Sequence, residues 1–384
     1  MPSFIATAAF GLEAVVKREV AKLGYANIAA LDGRVDFDAE LSAAAEANIR
    51  LRSASRVLLK IGAFEALTFD SLFEQTKALP WDEWITVDGK FTVTGKSVRS
   101  ALFSVPDVQS IVKKAVVEKL KQKYKVNWFA ETGSEYTIQV SLLKDTATLT
   151  IDTTGTHGLH RRGYRQKALL APLRETLAAA LIDLTYWNRA RIFLDPCCGS
   201  GTLPIEAALI AKNIAPGLSR SFACEKWPQI SPRTWKDARA SAYADILTDA
   251  EPEIYGSDID PGAVELARAN AEAAGVDDCI RFETRPLSRI ALPRDYGVAV
   301  ANPPYGERLG RDKEVEQLYG EMGRVFKNKT WSVYVLTADE FFESSFGRKA
   351  NAKRKLFNGM IKTDYYQYVG EKPKGQAGQR RGVS

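Results

Sequence analysis

The apolar positions of this chain recur with two periods, and the order of those periods separates a front part from a back part. In the front part, residues 3–7 read as a short strand. Residues 11–23 follow as a helix, because Leu12, Val15, Val16, Val20 and Leu23 return at helical spacing and Gly24 is placed to stop them. Residues 34–38 alternate as a strand, 41–51 form an alanine-rich helix, and a helix over 68–79 ends at Pro80-Trp81. Residues 91–98 read as a strand, and 105–124 as a helix whose apolar face carries Val108, Ile111, Val112, Ala115, Val116 and Leu120. Two closing strands, 136–142 and 147–152, turn through Lys144-Asp145. Periodicity by itself defines a small α+β region here.

From residue 191 the two periods alternate. Strands are expected over 191–195, 253–257, 279–283, 296–301 and 331–337. Helices are expected over 202–212 and 261–274, the latter capped by Asp260, with Pro261 at its first position and Gly275 closing it. A hairpin over 353–356 and 362–368 turns around Asn358-Gly359. This alternation predicts an α/β domain with a doubly wound, mostly parallel sheet. Between the two parts, 153–167 reads as a basic linker and 168–187 as a helix with Pro172 near its start. The expected boundaries are 1–67 and 68–155 for two front pieces, 156–190 for linker and helix, 191–370 for the α/β domain, and 371–384 for a disordered basic tail.

Length and composition narrow the class. A chain of 384 residues should hold two or three domains, and 45% hydrophobic residues supply their cores. No apolar run is long enough to span a bilayer, and residues 1–10 lack a signal-peptide pattern. Four cysteines, two of them adjacent (Cys197, Cys198), make neither a disulfide framework nor a zinc pattern. The only histidines are His157 and His160. The expectation is a cytoplasmic protein without a metal and without a membrane partner.

Charge changes the picture through its distribution. The net value is only +6, yet residues 90–125 hold nine Lys/Arg against two acids, 157–167 hold four against none, and 347–362 hold six against none. A single cluster of this kind is ordinarily a solvated helix face. Three of them point to a polyanionic partner. The candidate contacts are Lys113, Lys114, Lys119, Lys121 and Lys123 in the helix over 105–124, Arg161, Arg162 and Arg165 in the linker, and Lys353, Arg354 and Lys355 in the hairpin.

The chemistry centres on Asn302-Pro303-Pro304-Tyr305-Gly306. The strand before it cannot continue through two prolines, which have no N–H to donate and fixed φ. Asn302 and Tyr305 are thus set at a strand's carboxyl edge, where open α/β sheets bind ligands. The Asn302 side-chain carbonyl and the Pro303 backbone carbonyl are two acceptors, and Tyr305 is a flat platform. Together they suit a planar ring bearing an exocyclic amine. Earlier in the chain, Asp195-Pro196-Cys197-Cys198-Gly199-Ser200-Gly201-Thr202 is a small-residue turn between strand and helix. It lacks the third glycine of the dinucleotide fingerprint. A strand-end acid, Asp258, follows. Asp260 reads more simply as a helix cap than as a ligand, and Glu206 as either a dipole partner of its helix or a ligand. No base is placed to activate Cys197 or Cys198 as a nucleophile.

This order of motifs resembles the Rossmann-like amino-methyltransferases that depend on S-adenosylmethionine (SAM). The strings FLDPCCGSGTLPIEAALIA and ANPPYGERLG, with an IDTTG segment closing a THUMP-like front preceded by a ferredoxin-like piece, resemble the THUMP-containing bacterial enzymes that methylate guanine N2 of 23S rRNA. The resemblance implies SAM as cofactor, and RNA as partner, either 23S rRNA or a ribosome-assembly intermediate. It places Gly199 and Gly201 beneath the methionine portion, with Pro196 and Thr202 in the same loop. It further implies Asp195 at the ammonium group, Asp258 at the ribose and Ile259 against the adenine. Asn302, Pro303 and Tyr305 would handle the target base, with Asn302 also lining the cofactor site. The acid that many such enzymes carry after the third strand is absent, the residues there being Thr284-Arg285-Pro286-Leu287. Alternatives are a tRNA guanine-N2 enzyme, an adenine-N6 enzyme, and an assembly factor that binds RNA without catalysis.

Overall fold

The computed structural model describes residues 1–165, 173–305 and 313–371. Pro172, Gly306 and the expected tail after residue 371 lie outside the described residues. By internal contacts the chain divides into two units. One comprises Met1–Ala8, Val16–Leu159 and Pro216–Ala244; the other comprises Ala9–Val15, His160–Ala215 and Asp245–Ser384.

The first unit holds strands β1 (Ser3–Thr7), β2 (Ala26–Leu31), β3 (Arg34–Asp38), β4 (Arg56–Glu65), β5 (Lys90–Val98), β6 (Glu135–Leu143) and β7 (Thr146–Asp152). Helices α1 (Glu13–Lys22), α2 (Ala43–Arg50), α3 (Phe69–Ala78), α4 (Trp81–Trp84) and α5 (Val105–Tyr124) intervene, α1 being divided between the units. The seven strands make one sheet in the order β2-β3-β1-β4-β7-β6-β5. The two expected front pieces therefore share a sheet, and β4 joins them. It pairs antiparallel with β1 along Arg56–Lys60 and with β7 along Leu58–Glu65, with a register shift between Lys60 and Gly62. β5 and β6 are parallel, with α5 as the connection between them. The IDTTG segment locks the exit of this sheet. Asp152 takes the Arg56 guanidinium and accepts from the Thr154 amide at 2.9 Å, while buried Asn48 donates to Thr153 Oγ1 at 2.8 Å and accepts from Thr154 Oγ1 at 2.7 Å.

Further along the chain, helices α6 (Glu175–Asp183) and α7 (Thr202–Ala211) belong to the second unit and α8 (Pro232–Ala244) to the first. Residues 216–244, expected within the stretch 191–370 of the α/β domain, group by contacts with the first unit. The cause is local. Trp227 stacks on Tyr136 with centroids 5.1 Å apart, its indole donates to the Glu135 carbonyl at 3.2 Å, and Gln229 donates to the carbonyls of Glu83 and Trp84 at 2.7 and 2.8 Å.

The second unit continues with α9 (Pro261–Ala274), α10 (Lys313–Val325) and α11 (Phe342–Phe346), and with strands β8 (Phe193–Asp195), β9 (Ile254–Asp258), β10 (Ile280–Thr284), β11 (Val298–Ala301), β12 (Ser332–Thr337), β13 (Ala352–Asn358) and β14 (Ile361–Tyr368). Their order is β10-β9-β8-β11-β12-β14-β13, parallel from β10 to β12, with β14 antiparallel to both of its neighbours. Alternate strand residues feed two cores on opposite faces. Val298, Val300, Tyr334 and Leu336 pack with α6, α7 and α9, while Ala299, Ala301, Val333 and Val335 pack with α10 and α11. β11 is shorter than expected because Tyr296 has φ +64°, outside the strand region. Arg191 likewise leaves the expected strand. Its guanidinium donates to the carbonyls of Tyr296 and Gly297 at 2.7 and 3.2 Å and fastens the start of β8 to that of β11.

β9 approaches its neighbours so closely at Gly256 that a Cβ there would lie 2.7 Å from the Phe282 ring and 3.2 Å from Pro204. Gly256→Ala should therefore lower unfolding stability by about 1–3 kcal/mol through overpacking. A thermal melt indistinguishable from wild type would show that the ring moves aside freely.

Candidate active site

The sheet order reverses between β8 and β11. The chain leaves β8 towards β9 on one side and later enters β11 on the other, which opens a crevice at the strands' carboxyl ends. Asp195, Asp258 and Asn302 stand at the ends of β8, β9 and β11. The glycine loop is held by backbone. The Cys198 amide donates to the Ser257 carbonyl at 2.9 Å, and the Gly201 amide to the Cys198 carbonyl at 2.8 Å. Gly199 and Gly201 take φ +50° and +82°, which side chains resist. At Gly201 the space is also filled, because a Cβ would lie 3.0 Å from Ala267 Cβ and 3.1 Å from the Phe282 ring. That glycine answers helix packing as well as loop shape.

Asp258 does more than end a strand. One carboxylate oxygen accepts from the Gly199 amide at 2.8 Å and the other from the Asp260 amide at 3.1 Å. A carboxylate offers about four lone-pair sites, so two remain for a diol. Ile259, next in sequence, is 73% exposed, and the Arg285 amide donates to the Asp258 carbonyl at 2.8 Å. Asp260 caps α9, accepting from the Gly262 amide at 2.8 Å. Asp195 is buried at 2% exposure and accepts from the Cys197 amide at 3.1 Å. Burial, and then the charge of Asp258, push its carboxyl well above the usual carboxylate range. Burial, and then the two carboxylates, also raise the thiols of Cys197 and Cys198, which holds them protonated and unsuited to attack.

At the end of β11, Asn302 Oδ1 is buried and has no hydrogen-bond partner among the described residues. Buried acceptors are rarely left so, and this one suits a donor from outside the chain. Tyr305 is 9% exposed and accepts at its hydroxyl from Asn358 Nδ2 at 2.9 Å, so its ring is fixed by the β13–β14 hairpin. The Pro304 carbonyl lies 3.4 Å from the donating Tyr319 hydroxyl, which is itself 2.9 Å from Thr337 Oγ1. A cation would favour the charged form of Asp195 beside Asp258, and an amine fits Asn302. The residues present thus suit SAM and an amine-bearing ring.

Several expected contacts have other work. Arg162 is buried at 3% exposure, with its Nε 3.3 Å from Glu206 Oε1, and the Tyr164 hydroxyl donates to the same oxygen at 3.2 Å. Arg165 donates to Thr202 Oγ1 at 2.7 Å and to the Leu173 carbonyl at 3.0 Å, and lies 3.6 Å from Glu175. Arg162, expected as an RNA contact, is instead buried in an ion pair, since a buried guanidinium must be paired, and the part-buried Arg165 is held at Thr202 and Glu175. Glu206 is the buried partner of Arg162 and Thr202 the acceptor of Arg165. In the first unit, Lys119 and Lys123 both approach Asp82, at 3.5 and 3.7 Å, and Lys121 pairs with Glu118 at 3.2 Å. Lys113 and Lys114 are exposed, the latter 5.7 Å from the Phe73 ring centroid. In the hairpin, Lys353 and Lys355 are exposed, while Arg354 donates to the Gly11 carbonyl at 3.2 Å. Arg161 is exposed. The roles of Glu206, Asn358 and Tyr319 carry no local sequence signal, since each depends on a partner distant in the chain.

A Rossmann-like sheet with a glycine loop, strand-end acids and an Asn-Pro-Pro-Tyr edge defines a SAM-dependent methyltransferase. The chain belongs to the RMKL-like methyltransferase family, whose domain model matches residues 162–367. An RlmL ferredoxin-like domain matches 3–58 and a THUMP domain 66–152. It is 53% identical over 369 residues, 95% of each chain, to a Bacillus subtilis (strain 168) protein, YpsC, named as a candidate RNA methyltransferase. It is 34% identical over 374 residues to the ribosomal RNA large subunit methyltransferase K/L of Psychromonas ingrahamii, covering 94% of this chain and 49% of that protein's length. Among solved structures, a Listeria monocytogenes protein described as a predicted N6-adenine-specific DNA methylase superposes with TM-score 0.92 at 51% identity, covering 96% of both chains. SMU.472, a candidate methyltransferase solved with SAH, superposes with TM-score 0.91 at 43% identity, covering 97% of this chain and 99% of that one.

Two outcomes follow for the strand-end acids. A buried carboxyl whose folded pKa lies above its unfolded value contributes stability at low pH that is lost as pH rises through the folded value. Asp195→Asn removes that loss, so the free variant should melt higher than wild type, with the gap widening from pH 5 to pH 8, while its SAM affinity falls. A gap independent of pH would refute the assignment. Asp258→Ala should weaken SAM binding about 10- to 150-fold, the range for a charge-assisted hydrogen bond, and lower the melting temperature because the Gly199 amide loses its acceptor. Calorimetry showing unchanged SAM affinity would move the ribose contact elsewhere.

Proposed function

We propose that this protein transfers a methyl group from SAM to the exocyclic N2 amine of a guanine in RNA, with 23S rRNA as substrate. The observation that carries the reading is the buried Asn302 Oδ1 at the end of β11, which no donor among the described residues meets. An exocyclic amine is a poor nucleophile because its lone pair is delocalised into the ring. Acceptors at Asn302 Oδ1 and the Pro303 carbonyl would take its two N–H bonds, favour a pyramidal nitrogen, and offset the positive charge that grows there. That is electrostatic preorganisation. Bound SAM supplies an electrophilic methyl. Asp195, Asp258 and the Gly199 loop would hold it, with Ile259 against the adenine. The product ammonium is acidic enough to lose its proton to water, so no strong base is needed. The target base must leave its stack to reach the crevice, and the held Tyr305 ring would limit how it enters.

The THUMP match and the exposed Lys113 and Lys114 support an RNA partner, and the name of the Psychromonas relative supports a ribosomal one. The same acceptor pair suits adenine N6, and the description of the Listeria protein favours that second reading. Incubating the enzyme and labelled SAM with unmodified 23S rRNA transcript, then digesting to nucleosides, separates the two. N2-methylguanosine is expected, whereas N6-methyladenosine would replace the amine and no label would defeat both. Asn302→Ala should cut turnover by about 10²- to 10³-fold, the loss for one oriented transition-state contact, with SAM affinity nearly unchanged. Equal losses of both would show that Asn302 serves the cofactor.

A further inference from the structure

The hairpin that holds Tyr305 also carries a side chain with no packing role in the fold. Its register pairs Asn358 with Ile361, leaving Gly359 and Met360 as a two-residue turn. φ is positive at Gly359, +65°, and not at Met360, the pattern of a type II′ turn. The turn is therefore centred one residue beyond the expected Asn358-Gly359 pair. Nothing in this geometry asks for an apolar residue at Met360, yet it is 97% exposed, and Ile361 beside it is 45% exposed. Phe10, 56% exposed, meets Phe357 of the same hairpin edge-on at 5.8 Å. Lys353, Lys355 and Lys362, all exposed, flank the tip along both strands. An apolar tip flanked by cations suits a stack of bases between phosphate backbones. Asn358, one residue before the turn, donates to the Tyr305 hydroxyl at 2.9 Å, so a hydrogen bond links the hairpin tip to that ring.

We propose that Met360 is a wedge for base extrusion: when the target base leaves its RNA stack, Met360 enters the space it vacates, and Asn358 couples that insertion to Tyr305. This rests on the RNA-methylation reading above. The cost of opening the stack falls on duplex or stacked RNA and is small for single strands, which gives the test its form. Single-turnover methyl transfer would be measured with the full-length enzyme on two probes: intact unmodified 23S rRNA transcript, and the same transcript hydrolysed to short single strands. On the intact transcript Met360→Ala should be slower by about tenfold, equivalent to part of a base-opening cost of a few kcal/mol, and Met360→Leu should recover most of that rate. On the fragments the gap between Met360→Ala and wild type should narrow to about twofold or less. Equal rates of wild type and Met360→Ala on the intact transcript, a gap that persists on fragments, or a Leu variant as slow as Ala would each overturn the wedge and leave the methylation reading standing. Absence of transfer by the wild type on both probes would overturn the two together.

Discussion

The site depends on the Asp258 carboxylate, which holds two backbone amides from two different loops. The Gly199 amide belongs to the turn after β8, and the Asp260 amide to the turn after β9. Without that acid, a left-handed glycine turn would face a strand end with an unpaired donor, and the two loops would be free to part. The carboxylate also raises the charge cost of Asp195 beside it. The arrangement is poised but not relaxed, with two acids crowded at adjacent strand ends. A ligand that brings a cation relieves that crowding, which is why an ammonium- and sulfonium-bearing cofactor suits the place better than a neutral nucleoside. Stability given up locally is the usual companion of such a site.

Behind the loop lies a second layer that the first depends on. Arg162, Tyr164 and Glu206 form one buried set, and Arg165, Glu175 and Thr202 another, both reaching from the segment before residue 166 to the start of α7. Burial raises the Tyr164 hydroxyl well above its usual range, and the Glu206 carboxylate adds to the rise, so the phenol stays a donor. A buried ion pair of this kind adds little net stability, since desolvation offsets attraction, but breaking one partner strands the other. Its use here is orientation: residues 162–165 are fixed against the helix that follows the glycine loop.

Much of the fold was legible because the α/β half obeys its own period. β8, β11 and β12 lie within the expected strands and β9 and β10 match theirs to within a residue, and Asp260-Pro261 announced α9 by capping chemistry alone. The Asn-Pro-Pro-Tyr edge was legible for the same reason: prolines forbid the strand to go on. What was not legible depended on distant partners. β4 has no neighbour in sequence to pair with, and it is completed by β1 and β7. The stretch 216–244 carries a helix start at Ser231-Pro232, where Ser231 Oγ accepts from the Thr234 amide at 3.2 Å, yet nothing local says that it groups with the first unit. Arg162 and Arg165 looked like the exposed arginines around them because charge in a sequence does not reveal burial. Only the carboxylates that meet them, Glu206 and Glu175, decide it.

That last point limits how a basic stretch can be read. Of the five lysines on α5, three have a carboxylate within 4 Å: Lys119 and Lys123 at Asp82, and Lys121 at Glu118. Surface pairs of this sort are weak, around 0–1 kcal/mol, so they do not withdraw a lysine from a phosphate as a buried pair withdraws an arginine. The basic residues therefore fall into two kinds by solvent access rather than by count. Exposed ones, such as Lys113, Lys355 and Lys362, are available to a polyanion. Enclosed ones, such as Arg162, are held in ion pairs within the chain instead. Because phosphate contacts carry little sequence information, discrimination of one base from another has to come from the crevice. There the orphaned Asn302 oxygen and the fixed Tyr305 ring are the features that a particular base would meet.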